Sequence, residues 1–188
     1  MAKVLLYNIN EDYDIDKFKE LASSKDIEVI LVGKDDIDQH VGYLLGFDGF
    51  KKLGQDLEED PGLDFPFILF AGFERDQLFD FLDHMRDNGL AIQHKAGETE
   101  NNVRWTLREL LIENDKEAKT MGLIHRINGL LARAGELKEK HGEDPKLKEL
   151  VDEMQAYFDD SSLFELDVAK QYYLKLLDEV VRVEESYK

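Results

Sequence analysis

The chain contains no cysteine, three prolines, one tryptophan and only 24 Lys plus Arg against 42 Asp plus Glu in 188 residues. Each shortage excludes something. Without cysteine there is no disulfide framework, thiolate nucleophile, iron–sulfur cluster or Cys-based zinc site, which leaves carboxylate, His, Lys and hydroxyl chemistry. A formal charge of −18 argues against nucleic acid as a partner, because phosphate binders neutralise their ligand with clustered Lys and Arg. Long apolar runs are missing too. The first apolar run gives way to polar residues at Asn8, too short for a secretory signal, and nothing later approaches the ~20 apolar residues of a membrane span. The expectation is a soluble cytoplasmic protein with neither nucleic acid nor membrane among its partners.

What is present is a βα alternation over the first two thirds of the chain. Apolar runs at 4–9, 27–33, 65–73 and 90–95 read as strands, with amphipathic helices at 14–24, 74–88 and 99–113 and a short one at 38–45. Gly89 stands where a helix C-terminus wants a left-handed residue. Shifting the chain by 63 positions lays residues 4–7 on 67–70, Ile15 on Leu78, Phe18 on Phe81 and Ile27 on Leu90. The pattern predicts two similar βαβ units. Continuous apolar strands are those covered on both faces, so the reading is a four-stranded layered α/β domain with helices on both sides of the sheet. A ferredoxin-like α+β sandwich, with a helical extension covering its second face, is the alternative.

From residue 117 onward strand signals vanish. Met121, Ile124, Ile127, Leu130, Leu131, Ala134 and Leu137 recur at helical spacing; Asp144-Pro145 reads as a cap followed by a proline at the first helical position; Ser162 to Glu165 reads as a capping box before a last helix. The predicted organisation is an α/β domain at 1–116 and a three-helix extension at 117–188. Residues 1–116 carry 13 basic and 26 acidic side chains (−13), and residues 117–188 carry 11 and 16 (−5).

Catalytic and cofactor signatures are scarce. His40, His84, His94, His125 and His141 show no metal-ligand spacing, although His84 and His94 fall on neighbouring elements. Residues 12–23 begin like a calcium loop, yet Lys17 and Ser23 occupy the places of its glycine and bidentate glutamate. Asp35, Asp36 and Asp38 form an acidic loop that reads as solvated. No dinucleotide, phosphate-loop or nucleophile-elbow motif occurs. No metal, cofactor or catalytic residue is assigned, and whether the chain is an enzyme stays open.

The densest constellation is the stretch from Lys95 to Thr106. Thr99, Asn102 and Trp105 lie three apart, on one side of an expected helix start, with Lys95 at the preceding strand end. Free N–H groups and the helix dipole favour an anion at such a corner, so Lys95, Thr99, Asn102 and Trp105 are the candidate ligand-binding residues. The same residues have a purely structural reading: Thr99 caps, Asn102 returns a capping bond, and Trp105 docks the helix.

The pattern K-A-x-x-T-x-x-N-x-x-W-T, carried here by Lys95, Ala96, Thr99, Asn102, Trp105 and Thr106, resembles the signature of a bacterial family of small proteins classed as a domain of unknown function. Gly72-Phe73 fits its strand-end turn, and residues 39–46 resemble its Q-x-x-G-x-L-L-G stretch. The resemblance spans roughly residues 3–114 and implies no activity. Two functions remain. One is a non-enzymatic binding or protein-interaction module, pairing with a protein partner or a second copy through the C-terminal helices, which requires Tyr172, Tyr173, Leu176 and Val180 to form an exposed patch. The other is a binding protein or enzyme for an anionic metabolite at the Lys95–Trp105 corner.

Overall fold

In the computed structural model, which describes residues 1–54, 62–160 and 164–187, the chain divides into two compact units, Met1–Lys116 and Glu117–Lys188. The first unit contains β1 (Lys3–Tyr7), α1 (Ile15–Ser23), β2 (Glu28–Val32), α2 (Val41–Leu44), β3 (Phe67–Ala71), α3 (Arg75–Asp87), β4 (His94–Gly97) and the opening turns of α4 (Leu107–His141). Local chemistry sets these boundaries. The Asp14 carboxylate accepts the Lys17 N–H at 3.0 Å and starts α1. Gly89, at φ 72°, takes the left-handed position after α3 that a side chain would strain.

Strand order is β2-β1-β3-β4. β1 and β2 are parallel, β3 and β4 are parallel, and the two pairs meet antiparallel with Leu5 opposite Leu69 at the centre of the ladder. Each βαβ unit therefore keeps its strands adjacent. In the ferredoxin-like alternative the strands of one unit are split by a strand of the other, so the layered α/β reading is the one observed.

Alternating side chains serve two cores. Val4, Leu6, Ile68 and Phe70 face α1 and α3, whose Phe18, Ala22, Phe81 and Met85 close that layer. Leu5, Tyr7, Phe67 and Leu69 face the other way, onto Val41, Leu45, Leu107, Leu110 and Leu111. Helices thus cover both faces, which is why β1 and β3 are apolar without interruption. Each such fully buried side chain contributes about 1.5–3 kcal/mol.

Two expectations at the end of this unit are corrected. The fourth strand is His94–Gly97, not 90–95: Leu90 and Ile92 are buried as core plugs, while ladder pairing starts only at His94 opposite Phe67. The fourth helix opens at Leu107 rather than at Thr99, and a 3-10 turn at Asn102–Arg104 precedes it. Thr106 and Glu109 form the capping box there. The Glu109 carboxylate accepts the Thr106 N–H at 2.7 Å and the Thr106 hydroxyl accepts the Glu109 N–H at 3.2 Å. Instead of stopping near residue 113, α4 runs to His141.

The second unit comprises the remainder of α4, α5 (Pro145–Asp159) and α6 (Leu166–Ser186). Its core joins Leu123, Ile127, Leu137, Leu147, Met154, Leu176 and Val180. The Asp144 carboxylate accepts the Leu147 N–H at 2.9 Å, with Pro145 at the first helical position. Ser162 of the expected capping box lies outside the described residues; α6 opens after Glu165 without a side-chain cap bond. Among the described residues, no helix is long and apolar enough to cross a membrane.

Candidate functional site

The four sequence-predicted site residues stand at the β4 edge of the sheet, and their bonds run mostly to one another and to that edge. Thr99 N–H donates to Asn102 Oδ1 at 2.8 Å, and Asn102 N–H donates to Thr99 Oγ1 at 3.0 Å. Asn102, almost fully buried, uses its Nδ2 to reach the Gly97 carbonyl at 2.9 Å. Lys95 is exposed, with Nζ 3.4 Å from the Ile92 carbonyl and 3.5 Å from that of Gln93. Trp105 is 37% exposed, and its carbonyl accepts the Val41 N–H at 2.9 Å. The side-chain polar atoms of Thr99 and Asn102 thus act as caps, leaving the Lys95 ammonium and the Trp105 ring as the exposed parts of the corner.

Backbone parity gives these bonds a further meaning. Glu98 N–H donates to the Phe70 carbonyl of β3 at 2.8 Å. Alternate residues of β4 therefore face β3, and Lys95 and Gly97 turn their backbone groups away from it, toward the open side. Both outward carbonyls are taken: Gly97 by Asn102, and Lys95 by Asn114 Nδ2 at 3.0 Å. Asn114 Oδ1 in turn lies 3.1 Å from His94 Nδ1, and the His94 ring stacks on Phe65 with centroids 4.1 Å apart. Two asparagines thus cap the outward carbonyls of this edge. Asn114 escaped the sequence reading, although an asparagine inside a helix is a signal, because its short amide competes with the helix backbone.

The opposite edge is different. Glu28 N–H donates to the Ala2 carbonyl at 3.0 Å, so Glu28, Ile30 and Val32 face β1 while the backbone groups of Val29 and Leu31 point outward. Among the described residues nothing bonds to those groups. Of the flanking groups all but the Ile27 carbonyl are occupied: Ile27 N–H donates to the Ala22 carbonyl at 3.0 Å, Gly33 N–H to Asp36 Oδ2 at 2.9 Å, and the Gly33 carbonyl accepts the Asp36 N–H at 3.1 Å. Leu31 is 51% exposed. β2 thus offers two residues' worth of unpaired ladder groups on an apolar strand, with neither proline nor lysine inside it to discourage pairing.

Other candidates are committed elsewhere. His84 Nδ1 donates to the Asp80 carbonyl at 2.7 Å on its own helix, apart from the His94 contacts. Among the described residues, no three His, Asp or Glu side chains converge. Gln39, buried at 2%, clamps Leu53 by accepting its N–H at 2.8 Å and donating to its carbonyl at 3.1 Å. Gly42 lies under the Phe50 ring, which leaves no room for a Cβ. These contacts account structurally for the stretch at 39–46. In the second unit a cleft of about 320 Å³ is lined by Leu131, Ala134, Leu147 and Val151, and its rim charges pair with each other, Lys138 with Glu143 at 2.7 Å and Lys148 with Asp152 at 3.7 Å. The apolar stripe expected to form an interface is turned inward there: Leu176 is fully buried and Val180 is 3% exposed, both in that unit's own core.

With this geometry in place, the chain can be set beside known proteins. Residues 66–121 match DUF3783, a domain of unknown function. No curated protein and no solved structure matches the chain. The DUF3783 segment is narrower than the resemblance at 3–114 implied: it takes in β3, α3, β4, both Thr-initiated caps and Asn114, which is the βαβ unit with the sealed edge. β2, with the open edge, lies outside the DUF3783 match.

Proposed function

We propose that the chain is a non-enzymatic protein-interaction module that receives an extended segment along the edge of β2. The carrying observation is the contrast between the edges. Asn102 and Asn114 cap both outward carbonyls of β4, whereas Val29 and Leu31 present theirs uncapped on an apolar strand. Edge strands left open in this way template pairing with another chain, with main-chain hydrogen bonds supplying affinity and alternate side chains supplying specificity. The Thr99 and Asn102 N–H groups and the buried Asn102 amide, donors that an anion site at the corner would use, already donate within the chain, and this favours the interaction reading over the metabolite one.

A test is selection of short peptides from a random displayed library on the intact chain and on Leu31→Pro. Proline at 31 removes an outward donor while sparing the bonds to β1. The expected result is enrichment of extended, β-branched sequences on the wild type and their loss on Leu31→Pro. Equal enrichment on both proteins contradicts the reading.

A further inference from the structure

We infer that the strand received by β2 is β2 of a second copy of this chain, antiparallel, with the two-fold axis at Ile30. This rests on the strand-addition reading above and names its partner. Within β2 the outward groups are those of Val29 and Leu31, and just beyond it the N–H of Ile27 and both backbone groups of Gly33 are engaged within the chain. Only one self-pairing uses all of them. With the axis at Ile30, Val29 faces Leu31 of the other copy and each pair exchanges two N–H···O bonds. Moving the axis to Leu31 sets Val29 against Gly33, both of whose groups are occupied, and moving it to Val29 sets Leu31 against Ile27, whose N–H is occupied.

Side chains agree with that register. Val29 and Leu31 share the α1 side of the sheet, opposite Val4 and Leu6, so the half-exposed Leu31 is covered by Val29 of the other copy, a favourable cross-strand pair. The interface is isologous and closes on itself. Two four-stranded sheets become one of eight, in the order β4-β3-β1-β2 followed by its mirror sequence in the second copy.

The absence of cysteine permits a direct test on the full chain. At Ile30 the two copies place a residue opposite itself in a non-hydrogen-bonded pair, whose Cα separation of about 4.5 Å lies within the range a disulfide spans. Under mild oxidation Ile30→Cys is expected to form a disulfide dimer rapidly and Leu31→Cys slowly. Sedimentation of the wild type from low micromolar to sub-millimolar concentration is expected to show the 21.8 kDa chain doubling in mass, and Leu31→Pro and Leu31→Lys staying single. The lysine variant keeps every backbone bond of the fold, so it remains decisive if the proline variant unfolds. Faster cross-linking of Leu31→Cys than of Ile30→Cys overturns the register. A wild type that stays single throughout overturns the second copy, and if library peptides still bind in a Leu31-dependent way, the strand-addition reading survives that failure. Doubling that persists in Leu31→Lys overturns the second copy at β2.

Discussion

Asn114 donates from its side-chain amide to the backbone carbonyl of Lys95 at 3.0 Å, tying the first turns of α4 to the outer rim of β4. With the Asn102–Gly97 bond at 2.9 Å it makes a two-point seal along one edge of a sheet whose other edge is bare.

Breaking that seal has two expected effects. Asn102→Ala deletes a buried amide that accepts from Thr99 N–H and donates to the Gly97 carbonyl, and leaves that carbonyl without its partner. The expected loss is about 1–3 kcal/mol of stability, the cost of unsatisfied polar groups, read by urea unfolding with Trp105 fluorescence. Combining Asn102→Ala with Asn114→Ala opens a second pairing edge. Light scattering of the double variant is expected to show species larger than a dimer; an unchanged mass distribution would argue that the asparagines only position α4.

The start of α4 rests on the Thr106–Glu109 box. Thr106→Ala removes the hydroxyl that accepts the Glu109 N–H and is expected to cost ~1 kcal/mol. Thr106→Ser retains the acceptor and should stay within a few tenths of the wild type in thermal unfolding.

Tyr13 carries a pH signature. Its hydroxyl donates to the Leu90 carbonyl at 2.8 Å, and burial, aided by the neighbouring Asp14 carboxylate, pushes the phenol well above the ordinary tyrosine range. A group whose value is raised in the folded state contributes stability that is fully present below its unfolded value, about 10, and is lost as pH rises toward the folded value. Alkaline unfolding should therefore begin above that point. In Tyr13→Phe this component of the pH dependence is expected to disappear, and absorbance titration should show one late-ionising phenol fewer than in the wild type.

In the helical unit the carboxylate of Asp144 is held below its ordinary range, first by Arg182 at 2.7 Å and then by the Leu147 N–H. A depressed carboxylate contributes stability that is present above its unfolded value, about 3.9, and lost as pH falls through the folded one. Asp144→Ala is expected to lower helical stability at neutral pH, by about 1 kcal/mol for the cap, and to flatten the acid limb below pH ~4. Circular dichroism against pH reads both.

Much of this architecture was legible because it rests on periodicity and capping. The repeated apolar pattern that aligns Phe18 with Phe81 marks two βαβ units, and those rings meet edge to face at 5.9 Å across the α1–α3 layer. Asp144-Pro145 opened α5 as its residues required. What stayed hidden was long-range. Residues 90–95 look like a strand because Leu90 and Ile92 are apolar, yet they plug the core, and the ladder begins only at His94. The run Glu28–Val32 looks like an interior strand; its apolar character is the same whether it lies at the centre or the edge, and strand order is not written in local pattern. Thr99 and Asn102 were visible both as caps and as a possible site, and the Gly97 carbonyl that engages Asn102 comes from tertiary placement of β4. Asn114 could be suspected only from an asparagine lying within a helix.

The most direct measurement of the central claim is residue-resolved amide hydrogen exchange in β2 as a function of protein concentration. Ile30 and Val32, whose backbone groups face β1, should be protected at every concentration, while Val29 and Leu31 should exchange freely in dilute solution and become protected as concentration rises. Rapid exchange at Val29 and Leu31 across the whole range, with Ile30 and Val32 still protected, would contradict the account.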